Sequence, residues 1–474
     1  MGGGQRARPV RYGSGIGLLM VKTRFAPSPT GYLHLGNARI ALLNQIVALQ
    51  RGGKLFLRIE DTDRERSSSL FVDAMIKDLA WLGISREGDP VFQSSRFSLY
   101  REKVLELWSK GWAYPCFCTP HELEAHRQEC LKKGRPPRYS GRCRHISFLE
   151  AQARIAEGEP FSLRLRVDPE VRVEWRDMIK GRKRFRGKDL DDIVLLRSDG
   201  LPTYHLAVVV DDGEMGITHV IRGEDHMANT PYHISLFEAL GYPVPFFAHV
   251  PLVKAPSGEV LEKREDSPWT LKTLRKEGYL SPAVVNFLIT LGWNPPHPPP
   301  LTWEEILESF ELKEVSPAPV SFHLPALNSI NRKIMAILPA GELMEQVSPF
   351  LSSPVPFLKD RWVTLLEMVR ANASTLAELA VWVERVIKGS EGLLLDEREK
   401  ELLRRFLREA KVASSFTQAL PVFAQGLDKE SRNFFYRSLR KALTGEVSGP
   451  PLGDLMDFLG DQEVEKRISS FSIG

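Results

Sequence analysis

Four cysteines in 474 residues are too few for a disulfide scaffold, which points to a reducing compartment, the cytoplasm. No uninterrupted apolar run is long enough to cross a bilayer, so no membrane partner is expected. Residues 1–19 are rich in Gly and Arg, lack acids, and lack the apolar core of a secretory signal. They read as a mis-assigned start or a disordered tail, with a short transit peptide as the other reading. Gly13-Ser-Gly-Ile-Gly17 has the wrong spacing for a dinucleotide fingerprint and no strand before it. No internal repeat is present. No acidic residue precedes Glu60, whereas nine Lys or Arg do. That asymmetry suits anionic ligands such as ATP and a carboxylate; a basic tail followed by a chance gap is the plainer alternative. Over the whole chain 64 basic and 60 acidic residues leave a net charge of only +4, which neither demands nor excludes nucleic acid. The 43% hydrophobic content allows two to four domains with real cores.

Lys22–Ala26 reads as a strand, Asn37–Leu49 as a helix closed by Gly52-Gly53, and Lys54–Ile59 as a buried strand. This is a βαβ unit, hence a parallel sheet covered by helices. Leu70 to Leu82 follows a helical period that stops at Gly83. Cysteines and a basic cluster then occupy residues 95–204, which look like an insertion. β-type sequence is expected to resume at Leu206–Val210 and Thr218–Ile221. After Ser329 the pattern is helical almost throughout. Thr375-Leu-Ala-Glu378 reads as a capping box.

Three groups of residues can carry chemistry. His34-Leu-Gly-Asn37 lies where a strand and a Pro/Gly turn enter a helix. The first amides of that helix are expected to favour a phosphate, with His34 as a donor beside it and Gly36 leaving room for close approach. Cys116-x-Cys118 and, 24 residues on, Cys143-x-His145 have the spacing of a closed four-ligand structural zinc site. Cys130 lies inside the intervening loop and is expected to stay a free thiol. Lys180-Gly-Arg-Lys-Arg-Phe-Arg-Gly-Lys188 is the densest basic cluster. It reads as a hairpin, for RNA phosphates or as a solvated tip.

The string Arg24-Phe-Ala-Pro-Ser-Pro-Thr-Gly-Tyr-Leu-His-Leu-Gly-Asn37 resembles the HIGH signature of class I aminoacyl-tRNA synthetases, in the form carried by glutamyl-tRNA synthetases of bacterial type. The resemblance runs from about Met20 to the C-terminus. It implies an α/β fold: a Rossmann-like catalytic domain (20–94 and 205–250), an inserted acceptor-binding domain (95–204), a junction domain (251–329) and an α-helical anticodon-binding domain (330–474). It implies glutamate held by Arg24, Ala26, Ser28, Glu60, Tyr204 and Arg222. Mg·ATP would be held by His34, Gly36, Asn37, Lys263 and Arg264, with His34 and Lys263 acting on the phosphates. The partner would be tRNA-Glu, its acceptor end on the insertion, and the enzyme a monomer that needs tRNA before it activates glutamate. Some members of the family carry the same Cys/His pairing for zinc. An Arg fork takes a carboxylate in two charge-assisted bonds, whereas an amide offers one acceptor; Arg222 is thus expected to select glutamate over glutamine. Two alternatives share these motifs: a duplicated synthetase that glutamylates tRNA-Gln, and a tRNA-binding relative with weak or no ligase activity. A truncated relative that modifies a tRNA base lacks the helical C-terminal third found here.

The family's second signature, a Lys-Met-Ser-Lys-Ser type loop after a Pro-x-Gly turn, is altered. Pro256-Ser-Gly258 is followed by Val260-Leu-Glu-Lys-Arg264, so Lys263 and Arg264 remain while the first Lys is Val260 and the Ser is Glu262. Lys263→Ala is expected to slow adenylate formation by roughly 10²–10³-fold. Val260→Lys with Glu262→Ser should speed charging or lower the KM for ATP. Pre-steady-state charging checks both.

Overall fold

The structure is a computed structural model and describes residues 20–63, 67–259, 267–352, 361–389 and 394–471. The chain forms two compact units. One is the chain up to Lys272 with Leu288–Phe322; the other is Thr273–Phe287 with the chain from His323.

The first unit opens with the expected βαβ. β1 (Lys22–Phe25), α1 (Leu35–Leu49) and β2 (Lys54–Ile59) follow in order, with β1 and β2 parallel and Arg24 opposite Phe56. α1 is buried on nearly every side, from Leu35 through Leu42 and Ile46, and takes Arg39, Asn44 and Gln45 into the interior with it. Gly52, at φ 58°, takes the left-handed turn after it. At Gly53 a Cβ would lie 2.1 Å from the Val21 carbonyl oxygen, so only glycine lets β1 and β2 start side by side. α2 (Ser69–Trp81) is capped by the Ser68 hydroxyl. β3 (Val91–Phe92) then pairs in parallel with β2.

Next come α3 (Phe97–Ser109), β4 (Ala113–Cys116), α4 (Pro120–Lys132), α5 (Phe148–Ala156), β5 (Ser162–Leu165), β6 (Arg172–Asp177), β7 (Gly181–Arg186) and β8 (Val194–Leu196). β4, β5 and β8 form an antiparallel sheet, and β6 and β7 a hairpin. Cys130 lies within α4, not in a loop. The basic cluster is the second strand of the hairpin plus its flanks, not a solvated tip. The turn end, 178–180, is fastened to the core: Met178 N donates to Phe247 O at 2.9 Å, and Lys180 pairs with Glu224. Arg182, Arg184 and Arg186 remain exposed along β7.

α6 (Tyr204–Glu214), β9 (His219–Gly223), α7 (Thr230–Leu240) and β10 (Phe246–Val250) complete the layer. Leu206–Val210 is helical, which corrects the expectation of a strand. A short β-branched run reads the same in a core strand and in a helix buried on all sides, and Leu206 to Asp212 are all buried. β9 pairs in parallel with β10, Arg222 opposite His249. Thr218 docks this pair on β1: Lys22 N donates to Thr218 Oγ1 and Thr218 N to Lys22 O, each at 2.9 Å. The strands thus lie in the order β3, β2, β1, β9, β10. Chain direction across the sheet reverses between β1 and β9, the place where such sheets bind ligands beyond their C-terminal ends. Tyr100, Val104, Leu107 and Leu163 pack in one core with Leu206, Val209, Ile234 and Phe247, so the inserted segment shares its interior with the sheet's helical cover.

β11 (Val253–Lys254) pairs with β12 (Val320–Ser321). Residues 260–266, including Val260, Glu262, Lys263 and Arg264, lie outside the described residues. Their flanks are anchored. Before them is β11; after them Leu35 N donates to Trp269 O at 3.0 Å and Leu271 N to Leu33 O at 2.9 Å.

The second unit is helical among its described residues, with helices such as Leu324–Ile337, Leu376–Lys388, Glu397–Ala410 and Lys429–Thr444. Phe406, Phe416, Phe423 and Phe435 form its aromatic centre, with ring centroids 4.7–5.9 Å apart. Thr375 caps its helix through the Glu378 amide, but Glu378 accepts from Ser374 N rather than Thr375 N, so the expected capping box is half made. No described helix is long and apolar enough to cross a membrane.

Candidate active site

α1 begins at the C-terminal side of β1, and His34 is its N-cap. His34 Nδ1 accepts from Gly36 N at 3.1 Å and Asn37 N at 3.3 Å. This corrects the expectation that those amides wait for an anion: the imidazole already satisfies them. It also fixes the tautomer. With Nδ1 accepting, the neutral ring carries its proton on Nε2, which makes Nε2 the donor. Gly36 leaves room for that ring, since a Cβ there would sit 3.0 Å from His34 Cε1 and Nδ1. Asn37 Oδ1 is buried without a hydrogen-bond partner among the described residues, an acceptor left open beside the imidazole.

Beyond the strand ends lies a buried ionic network. Asp212 of α6 accepts from Arg24 Nε at 3.1 Å and Arg58 Nη1 at 2.5 Å. Arg58 Nη2 also reaches Glu60 at 3.3 Å. Asp211, one residue earlier, accepts from Gln93 at 2.9 Å, Arg96 at 2.7 Å and Tyr100 at 2.8 Å. Burial alone disfavours the Arg58 charge, but Asp212, Glu60 and Asp211 outweigh it and hold the guanidinium protonated. Burial pushes the Glu60 carboxyl up, with Arg58 and Arg24 opposing. Ala26 and Ser28 are half-buried on the segment that leads from β1 to His34. Glu60 N donates to Pro27 O at 3.0 Å, which ties that segment to the end of β2.

Tyr204 and Arg222 join the same site. Burial pushes the Tyr204 phenol up to about 12; Glu60 and Asp212 act the same way, while Arg222 and Arg24 oppose them. These charges therefore lie within electrostatic reach of the phenol. Tyr204 Oη lies 3.1 Å from His226 Nδ1, ring stacked on ring. Arg222 Nη2 donates to Thr230 Oγ1 at 2.8 Å and its Nε to His249 Nε2 at 3.2 Å. The resemblance named Arg24, Glu60, Tyr204 and Arg222 as one set, and folding brings the four within electrostatic reach of one another.

The Sγ atoms of Cys116, Cys118 and Cys143 lie within 4.8 Å of one another, and all four cysteines are free thiols. His145 does not join them; it sits exposed at the end of its turn. The Tyr139 hydroxyl takes that place, 3.3 Å from Cys116 Sγ and 3.6 Å from Cys118 Sγ. The 3₁₀ turn Arg142–His145 explains the swap. Residues two apart on such a turn point in different directions, so Cys143 turns in while His145 turns out.

Residues 20–329 match the family model described as tRNA synthetases class I (E and Q), catalytic domain. The chain belongs to this family. Residues 342–471 of the synthetase match the model of an anticodon binding domain, so the fold is the α/β catalytic domain followed by an all-helical anticodon region. It is 42% identical over 465 residues to the glutamate–tRNA ligase of Aquifex aeolicus, covering 94% of this chain and 98% of that one. It is 39% identical over 470 residues to that of Azorhizobium caulinodans, covering 94% and 98%. The solved structure of a glutamate tRNA ligase from Elizabethkingia meningosepticum in complex with its amino acid superposes with a TM-score of 0.82 at 26% identity, covering 96% and 99%.

Several residues of the synthetase site escaped the sequence reading: Arg58, Asp211, Asp212, Tyr139, His233 and His249. Asp211-Asp212 carried a signal, since two acids directly after five apolar residues must find cations if the run is buried. Arg58→Met is expected to destabilise the protein by about 3–5 kcal/mol, because Asp211, Asp212 and Glu60 lose the cation they surround. Urea unfolding monitored by tryptophan fluorescence measures it.

Proposed function

We propose that this synthetase joins glutamate to tRNA-Glu through a glutamyl-adenylate, and that Arg222 carries the choice of amino acid. The observation behind this reading is a buried guanidinium whose hydrogen-bond partners among the described residues are all neutral, at the C-terminal end of β9 beside Arg24, Glu60 and Tyr204. A glutamate side-chain carboxylate supplies the charge it lacks, in two parallel bonds. The Glu60 carboxylate suits the substrate's ammonium group, with Ala26 and Ser28 alongside. In the first step an α-carboxylate oxygen attacks the α-phosphorus of Mg·ATP and pyrophosphate leaves. In the second the terminal ribose hydroxyl of tRNA attacks the acyl carbon, releasing AMP and a proton. No side chain serves as a covalent nucleophile. Catalysis is positioning and charge stabilisation: the His34 Nε2 proton and the Lys263 ammonium act on the phosphates, while Gly36, Asn37 and Arg264 complete the nucleotide site. The names of the relatives support the ligase reading over a non-ligating tRNA-binding protein, and nothing favours tRNA-Gln as the substrate.

The proposed domains are catalytic (20–94 and 205–250), acceptor-binding (95–204), junction (251–329) and anticodon-binding (330–474). The exposed arginines of β7 suit acceptor-end phosphates. The free cysteines suit a reducing, cytoplasmic setting, and a monomer is the working form. The three thiols fit a structural zinc, whose chemistry is to cross-link β4 to the turn at Cys143 as a closed site. The Tyr139 oxygen, 3.3 Å from Cys116 Sγ, suits the fourth position better than the exposed His145.

Arg222→Ala is expected to lower kcat/KM for glutamate by about 30- to 1,000-fold, roughly 2–4 kcal/mol, while affecting glutamine binding far less. Competition kinetics in the charging assay would show equal losses if Arg222 does not face the side chain. Elemental analysis of metal-replete protein should find one zinc per chain. Cys143→Ser loses it and His145→Ala keeps it; the reverse pattern restores His145 as a ligand.

A further inference from the structure

Arg222 differs from the other buried arginines of the site in how it is held. Arg24 and Arg58 bond to carboxylates. Arg222, only 5% exposed, has four neutral acceptors for its five N–H groups: His249 Nε2 at 3.2 Å, His233 Nδ1 at 3.1 Å, His226 O at 3.3 Å and Thr230 Oγ1 at 2.8 Å. A guanidinium only donates, so each imidazole nitrogen facing it must present a lone pair, and both histidines must be neutral.

The far side of each ring shows how that lone pair is kept in place. His249 Nδ1 lies 2.5 Å from Asp177 Oδ2, so its proton is held there and Nε2 is left to accept. Asp177 cannot swing away. Its Oδ1 accepts from Ile179 N at 3.1 Å, Lys180 N at 2.8 Å and His249 N at 3.2 Å. The Asp177–His249 pair is completely buried. His233 repeats the pattern with a neutral partner: its Nε2 faces His205 Nδ1 at 3.3 Å. Burial pushes His249 and His233 below the usual histidine range and His205 down to about 4, in keeping with neutral rings. Asp177 belongs to the inserted hairpin, His249 to β10 and Arg222 to β9. The Asp177 carboxylate is therefore kept one imidazole away from the guanidinium, while Asp212 and Glu60 act on it only through space.

We propose that His249, oriented by Asp177, is a positioning residue for side-chain selection: it fixes the direction of the Arg222 guanidinium without neutralising it, leaving the counter-charge to be supplied by the substrate carboxylate. The inference rests on the reading of Arg222 given above. An acid in direct contact with Arg222 would compete with glutamate and favour an uncharged side chain. An imidazole accepts the same hydrogen bond with no charge.

Steady-state charging of His249→Phe, His249→Gln and Asp177→Asn, with glutamine as competitor and melting curves for each, tests this. His249→Phe removes the acceptor. It should raise the KM for glutamate about 10- to 100-fold, the cost of a misaimed contact. The kcat, the KM for ATP and the inhibition constant for glutamine should stay within about threefold of wild type. His249→Gln, whose Oε1 can accept from Arg222 Nε, should recover most of the glutamate KM. Asp177→Asn should give an intermediate rise and carries the test if His249→Phe does not fold. The proposal is overturned if kcat and the KM for ATP change in step with the glutamate KM, or if the Gln variant is as poor as Phe. Arg222→Ala measured alongside separates the two readings. A normal glutamate KM in Arg222→Ala removes the Arg222 reading itself. A defective Arg222→Ala with a normal His249→Phe overturns only the positioning role.

Discussion

The site depends on the neutralisation of Arg58. This side chain is fully buried in the middle of the parallel sheet, where an unpaired cation would be prohibitively costly. Asp212 and Glu60 bond to it directly and Asp211 lies 3.7 Å from its Nε. The same two aspartates hold Arg24 and Arg96, so three cations meet three anions. The network joins β1, β2, the residues after β3, α3 and α6. Removing one member strands the others, because a buried charge without its partner costs more than the pair contributes. The end of β1 and the end of β2 are thereby placed for Arg24 and Glu60 to face a substrate.

Against that balanced network, Arg222 stands as a cation with no carboxylate partner among the described residues. Two kinds of buried arginine thus serve two purposes within one site: paired ones act as scaffold, and the unpaired one acts as receptor. The cost of burying an uncompensated guanidinium is offset by four neutral hydrogen bonds and recovered when a carboxylate binds. His34 follows related logic at the start of α1. It satisfies two helix amides with one ring nitrogen, and that bond sets which nitrogen carries the proton.

Much of this was legible in the sequence. The βαβ unit, the apolar α1, the glycine turn after it and the helical C-terminal third follow from periodicity and turn chemistry. The motif strings named Arg24, Glu60, Tyr204 and Arg222, which the fold brings together, His34 at its helix cap, and three cysteines whose Sγ atoms converge. The failures share a cause. Leu206–Val210 looked like a strand because a short β-branched run is ambiguous until its burial on every side is known. His145 looked like a ligand because spacing alone does not say which way a 3₁₀ turn points each side chain. The fastening of the β6–β7 turn was not legible because its contacts with Phe247, His249 and Glu224 are with residues some 45 to 70 positions away.

What the sequence by itself determined is the set of local elements and the inventory of chemical groups: a strand–turn–helix with His34 at its cap, three thiols, a basic strand, and an arginine at the end of a later strand. These follow from backbone preference and side-chain type, which act over a few residues. Tertiary structure alone decided the pairings. It brought Asp211 and Asp212 to Arg58, put Tyr139 rather than His145 among the thiols, and turned the His34 ring back onto its own helix. It also set His249 between Asp177 and Arg222. Each of these outcomes is settled by desolvation, which charges a buried group for every missing partner, and the partners that meet the demand lie far apart along the chain.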